Sequence, residues 1–208
     1  MIRFVTAGAG ILGVAFFIST TILAGSQLPE YSHVSQFISE SYATGTPYGT
    51  QLRYFGFIPS GILIAIFSFL TLKIVPKSIL ATFGLLGLGV FYGLATIVVS
   101  IFPCDEGCNK ELVNPSLSQF IHNLTGVLTY LVVPISLIML GVAARNWKNG
   151  NRVALTGIGS GLICLLFVGI LSSDPQSNFA GLFQRIIEGC VLFFIVNCSF
   201  YLITLQKE

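Results

Sequence analysis

A chain of 208 residues in which 54% of side chains are hydrophobic and only 9% charged is not built for water, since soluble domains carry about a quarter charged residues. Its net charge of +2 comes with no basic, aromatic-interleaved patch, which excludes nucleic acid as an expected partner. The length admits one bundle and no separate soluble domain, because the longest connections are Gly25–Arg53 and Pro103–Gln119.

Six apolar stretches follow in chain order: roughly Val5–Ala24, Tyr54–Leu72, Ile79–Phe102, Phe120–Ala144, Val153–Leu171 and Ile186–Leu205. Each holds about 19–25 residues, enough at 1.5 Å per residue for a hydrocarbon core about 30 Å thick. Hydrocarbon offers backbone N–H and C=O groups no partner, so such runs must be helical. The predicted fold class is all-α: a polytopic membrane protein with six transmembrane helices in one bundle over residues 1–208.

Arg3 and the small-residue-rich Leu23-Ala24-Gly25 imitate a cleavable signal around the first span. Its apolar region of about 20 residues exceeds the 7–15 of a signal peptide, so it is read as a span. In the first loop, Tyr31, Val34, Ile38 and Tyr42 share a helical face flanked by Phe37. That pattern predicts a short amphipathic helix lying in the outer interface, ended by the turn residues Ala43-Thr44-Gly45-Thr46-Pro47-Tyr48-Gly49. Pro59 in the second span and Pro134 in the fourth are expected to bend their helices. Gly89-x-x-x-Gly93 in the third span and Gly157-x-x-x-Gly161 in the fifth suit close helix packing, read as intramolecular rather than as dimer motifs.

An even number of spans puts both termini and the second and fourth loops on one side. That side holds Arg3, Lys73, Lys77, Arg145, Lys148, Arg152 and Lys207, seven of the ten basic residues, with Glu208 as its only acid. Glu30, Glu40, Asp105, Glu106, Glu111, Asp174 and Glu188 fall toward the other side, with Arg53, Lys110 and Arg185. The Lys/Arg bias places both termini in the cytoplasm. Cys104 and Cys108, four apart on the outer side, then suit a short-loop disulfide. A metal pair is the alternative, although no second pair completes a tetrahedral set, and no metal is expected. Cys164, Cys190 and Cys198 lie within spans as small packing groups.

Polar chemistry concentrates near the outer side. His122 lies about one turn into the fourth span, on a stripe with Ser118, Gly126 and Thr129. An ionisable group at that depth should face the bundle interior or a water-filled cavity. Arg185 and Glu188, three apart at the start of the sixth helix beside Gln184, share a face. They are expected either to pair with each other or to leave the guanidinium for a lipid phosphate or carboxylate. Two histidines, His33 and His122, cannot build a His-rich zinc site. Gly157-Ile158-Gly159-Ser160-Gly161 is not a nucleophile elbow, and no P-loop or dinucleotide fingerprint is present. A hydrolase built from Ser39 or Ser35 with His122 and Asp105 stays open. The glycosylation-type sequons at Asn123 and Asn197 lie inside spans, where modification is not expected.

Several segments together resemble the family called domain of unknown function 998, six-helix membrane proteins chiefly from prokaryotes. They are Ser35-Gln36-Phe37-Ile38-Ser39-Glu40, Ala43-Thr44-Gly45-Thr46-Pro47, Phe102-Pro103-Cys104-Asp105, His122 and Gly181-Leu182-Phe183-Gln184-Arg185-Ile186. The resemblance covers nearly the whole chain and implies fold, topology and a prokaryotic plasma membrane. It implies no reaction. More distantly, Ile38-Ser39-Glu40 before a Gly/Pro turn, with a later membrane histidine, is similar to the damage-regulated autophagy modulator group, which often has aspartate at the position of Glu40. That group includes membrane proteins linked to lipid handling, a fold-level analogy.

The leading expectation is an outward-facing polar cavity that binds or moves a lipid headgroup or small amphiphile. Ser39, Glu40, His122, Arg185 and Glu188 would line it, with Asp105 at its rim, membrane lipids as partners and no cofactor. One alternative is an intramembrane lipid-modifying enzyme with His122 as general base, oriented by Glu40 or Asp105. The other is a structural or partner-binding subunit whose charges only pin helices together. A histidine near outer carboxylates would also permit a pH response.

Overall fold

A computed structural model describes residues 1–205. Lys207 and Glu208, two of the charges used above to orient the chain, lie outside the described residues. Among the described residues six helices are long and apolar enough to cross a membrane: α1 (Ile2–Ser26), α2 (Gly49–Thr71), α3 (Ile79–Ile101), α4 (Leu117–Ala144), α5 (Asn151–Ser173) and α6 (Ala180–Thr204). Two begin well before the apolar runs do. The first turns of α2 and α6 carry Arg53, Gln184 and Arg185, polar residues whose side chains bond to the first loop.

Each helix packs against its neighbours in sequence, and α6 returns to α1, closing the six into a ring. The first, third and fifth loops gather at one end, here the disulfide face, with both helix termini of the chain at the other, the terminal face. Small residues set the approach of the staves. A side chain at Gly93 would run into the backbone of Ala65 in α2, and one at Gly157 into the backbone of Gly141 in α4. Both GxxxG segments therefore serve packing within the bundle, as expected. The Ser60 hydroxyl adds a direct tie, donating to the Gly13 carbonyl of α1 at 2.8 Å.

Two wide π turns interrupt the α geometry, at Arg53–Phe57 in α2 and Gly89–Leu94 in α3. The first stands just ahead of Pro59, so the missing N–H of that proline falls where the ladder is already loosened. The second contains Tyr92 and re-aims the face that carries it. Pro134 stays inside a continuous α4.

The helix of the first loop is a single 3-10 turn, Ile38–Tyr42, and all five residues are buried. It does not lie along the interface as the apolar stripe implied. At its start the Glu40 carboxylate turns back to accept from the Phe37 N–H at 2.8 Å, which fixes the angle at which the turn enters. Ile38 and Tyr42 then drop into the ring as a plug, with the Tyr42 ring 4.6 Å from that of Phe57.

Candidate functional site

The first loop is clamped onto the start of α6 by backbone and side-chain bonds. Leu182 N–H donates to the Val34 carbonyl at 2.8 Å, and Ile38 N–H donates to Gln184 Oε1 at 2.7 Å. Arg185 spreads its fork over the loop. Nη1 donates to the carbonyls of Gln36 (2.9 Å) and Gly181 (3.0 Å), and Nη2 to the Tyr31 hydroxyl (2.6 Å), beside His33 Nδ1 (3.2 Å). Burial pushes the Tyr31 phenol above its ordinary range, although Arg185 pulls the other way, so Tyr31 stays neutral. Its hydroxyl donates to the Phe37 carbonyl at 2.8 Å.

The third loop forms the opposite wall. Cys104 and Cys108 are joined as a disulfide. Between them the chain reverses through left-handed φ angles at Gly107 (+63°) and Cys108 (+56°), the second a conformation a β-carbon disfavours. The buried Gln119 holds that turn, accepting from Asp105 N–H at 2.7 Å and donating to the Cys108 carbonyl at 3.2 Å. The Thr44 hydroxyl and N–H both reach the Cys104 carbonyl, tying the third loop to the first.

Below this lid the ring encloses a chamber of about 90 Å3. Aromatic rings form much of its wall: Phe17, Tyr42, Phe57, Tyr92 and Tyr130. Its polar groups are Ser39, Thr96, His122, Thr129, Gln184 and Glu188. A directed chain of bonds crosses it. Gln184 Nε2 donates to the Tyr130 oxygen at 2.9 Å, so the Tyr130 hydroxyl proton is free to donate to Glu188 Oε1 at 3.1 Å. Tyr92 donates to Glu188 Oε2 at 2.7 Å. At 1.5 Å per residue, Glu188, Phe17 and Tyr92 lie about 12–14 Å in from the disulfide-face ends of their helices, well inside a hydrocarbon core.

Two further spaces adjoin the chamber. A polar vestibule of about 460 Å3 at the disulfide face shares Ser39 and His122 with it. A lateral groove of about 370 Å3 between α1 and α6, lined mostly by apolar side chains together with Thr21, Arg185 and Glu188, shares Phe17, Ile38 and Glu188 with the chamber. His122 is held by its Nδ1, 3.0 Å from the Phe102 carbonyl. A carbonyl only accepts, so Nδ1 carries the proton and, in the neutral ring, Nε2 keeps a lone pair. Of the stripe read from the sequence, His122, Gly126 and Thr129 line the chamber, while the Ser118 hydroxyl donates to the Pro103 carbonyl.

The expected site residues divide accordingly. Ser39, His122 and Glu188 line the chamber. Glu40 does not: it forms an ion pair with Lys110 at 2.9 Å and also accepts from Gln36 Nε2 at 3.3 Å. Asp105 accepts from the N–H and hydroxyl of Ser116, and these bonds hold its carboxyl below the usual range. It thereby braces Ser116, whose hydroxyl caps the start of α4 by accepting from the Gln119 N–H. Arg185 and Glu188 do not pair. Both border the lateral groove, but loop carbonyls capture the guanidinium and phenols capture the carboxylate. At His122 Nδ1 the structure has the Phe102 carbonyl, where the enzyme alternative had Glu40 or Asp105 as the orienting group. Among the described residues, no three His, Cys, Asp or Glu side chains converge to hold a metal ion. Asn197 is buried and accepts from Arg152 Nε at 2.8 Å, whereas Asn123 accepts from Gln119 and lines the vestibule.

Tyr92, Tyr130 and Gln184 are chamber residues that the sequence reading passed over as site residues. One signal was available. Membrane tyrosines favour the interfaces, and both of these lie far from either end of their helices.

The model of the family described as "Protein of unknown function (DUF998)" matches residues 11–200. The chain belongs to this family. No curated protein and no solved structure matches it. The segments that carried the DUF998 resemblance prove to be one structural unit. Gln36 and Ile38 bond to Gln184 and Arg185, and a side chain at Gly181 would strike the Gln36 backbone. Phe102 positions His122, and Cys104 receives Thr44. These segments build the lid and mouth of the chamber.

Proposed function

We propose that this membrane protein binds, and moves between bilayer and vestibule, an amphiphile whose head occupies the chamber and whose tail lies in the α1/α6 groove. One observation carries the reading: Phe17, Ile38 and Glu188 line both spaces, so a polar chamber and an apolar groove meet at one wall. A second groove of about 370 Å3, between α3 and α4 at Phe83, Val90 and Met139, touches no such chamber. Apolar grooves alone are ordinary on a lipid-facing surface; a groove that ends on a buried carboxylate is not. The groove follows α6 from Arg185 to Val196, about 16 Å at helical rise.

The test uses steric blocks. A β-carbon at Gly189 in the groove or Gly126 in the chamber meets no atom within 4 Å, so larger side chains enter empty space. Gly189→Trp and Gly126→Leu should each lower binding of a fluorescent-tailed amphiphile by at least tenfold with folding intact. Val90→Trp, in the other groove, should not. Wild-type binding in both glycine variants would overturn the proposal.

The same reading places the disulfide face outside the plasma membrane and both termini in the cytoplasm. The described terminal face carries Arg3, Lys73, Lys77, Arg145, Lys148 and Arg152 with no described acid, which fits the positive-inside rule. Ser26→Cys should react with an impermeant maleimide in intact cells, and Asn146→Cys only after lysis. The reverse pattern would invert the topology.

A further inference from the structure

We infer that the head received by the chamber is cationic: an ammonium carried on an aliphatic chain, held by Glu188 within the aromatic wall. This rests on the amphiphile reading above and names its chemical class.

Glu188 is a buried carboxylate with no cation paired to it among the described residues. Both its oxygens accept from phenols, Tyr92 at 2.7 Å and Tyr130 at 3.1 Å. Among the described residues, the ion pair present is Lys110 with Glu40. The three basic residues of the disulfide face are all committed elsewhere. Arg53 donates to the Tyr42 carbonyl and the Thr50 hydroxyl, Lys110 serves Glu40, and Arg185 serves the first loop. A buried carboxylate is costly unless something positive meets it.

The rest of the wall favours the same sign. Phe17, Phe57, Tyr42 and Tyr92 pack ring to ring, with centroids 4.6–6.2 Å apart, and present π faces and edges to one small space. Aromatic walls attract cations, quaternary ammonium above all. His122 presents its lone-pair nitrogen, because Nδ1–H is spent on the Phe102 carbonyl. The Tyr92 and Tyr130 protons already point at Glu188, and the Thr96 and Thr129 hydroxyls donate to carbonyls of their own helices. An anionic head would therefore face the Glu188 carboxylate, with the Tyr42 and Ser39 hydroxyls and the second Gln184 N–H as the donors left to it. The volume of about 90 Å3 holds several waters or a compact head of a few heavy atoms.

The experiment measures binding of radiolabelled dodecyltrimethylammonium, dodecylphosphocholine and dodecyl sulfate to the purified protein in maltoside micelles, whose heads are uncharged. Wild type should bind the trimethylammonium probe at least tenfold more tightly than the sulfate. Glu188→Gln should abolish that preference, and Glu188→Asp should restore part of it. Phosphocholine binding at a similar strength would support a zwitterionic phospholipid as the source, and its exclusion a purely cationic amphiphile. Sulfate binding as tight as trimethylammonium, or an unchanged preference in Glu188→Gln, would overturn this inference while leaving the amphiphile reading intact. Probes that bind wild type, Gly189→Trp and Gly126→Leu alike would instead sink that underlying reading. If Glu188→Gln does not fold, the wild-type preference alone decides.

Discussion

Replacing Arg185 separates a structural clamp from a headgroup receptor. Its guanidinium makes two contacts that cross from α6 to the first loop, to the Gln36 carbonyl at 2.9 Å and the Tyr31 hydroxyl at 2.6 Å. Hydrogen bonds to a charged group contribute about 1.5–3 kcal/mol each. Losing both in Arg185→Met should cost about 3 kcal/mol, taking the low end because the site is only part-buried. Arg185→Lys keeps the charge but offers a single compact donor group in place of a planar fork. It should retain one contact and cost about 1.5 kcal/mol. The assay is reversible unfolding in mixed micelles, with hydrogen exchange of the Tyr31–Ser41 amides followed in parallel. A double-mutant cycle with Tyr31→Phe should return a coupling of about 1–2 kcal/mol. The reasoning fails if Arg185→Met stays within about 0.5 kcal/mol of wild type and leaves exchange in the first loop unchanged. Arg185 would then be a free cation rather than a clamp.

Asp105→Asn should loosen the start of α4 and destabilise by about 1 kcal/mol at most, since solvent screens the site. Because the bonds from Ser116 depress its carboxyl, this contribution is complete above the usual carboxylate range near pH 4 and is lost only as pH falls further. An unfolding series from pH 8 to pH 3 should show the wild type converging on the variant only at the acid end. Tyr130→Phe leaves Gln184 Nε2 and Glu188 Oε1 short of a partner and should cost about 1–3 kcal/mol, read by thermal unfolding. Gly93→Leu forces α3 away from the Ala65 backbone and should prevent assembly of the ring, read as loss of the monodisperse peak in size exclusion.

The six spans were legible because hydrocarbon leaves a chain so few choices: apolar length translates directly into helix number. Helix starts were less legible where polar residues belong to the helix. Gln184 and Arg185 looked like loop chemistry, yet they sit inside α6 because the first loop satisfies them. Glu188 and His122 could be singled out by the cost of their depth, and both line the chamber. Their partners could not be read. A tyrosine in an apolar run such as Val90-Phe91-Tyr92-Gly93 scores as packing, and only a π turn and the ring closure aim its hydroxyl at Glu188. Glu40 and Asp105 misled for the opposite reason. Each is satisfied within its own loops, by Phe37 N–H, Lys110 or Ser116, and spacing alone does not reveal a carboxylate already occupied.

The most direct test of the shared wall between groove and chamber is photo-cross-linking with a cationic amphiphile bearing a diazirine near the end of its tail. Peptide mapping should place the adducts on Val14, Ile18, Leu192, Phe193 and Val196 in the α1/α6 groove, and excess unlabelled dodecyltrimethylammonium should remove them. Adducts on Phe83, Val90 and Met139 in the α3/α4 groove, or labelling spread evenly around the ring and indifferent to competitor, would contradict the account.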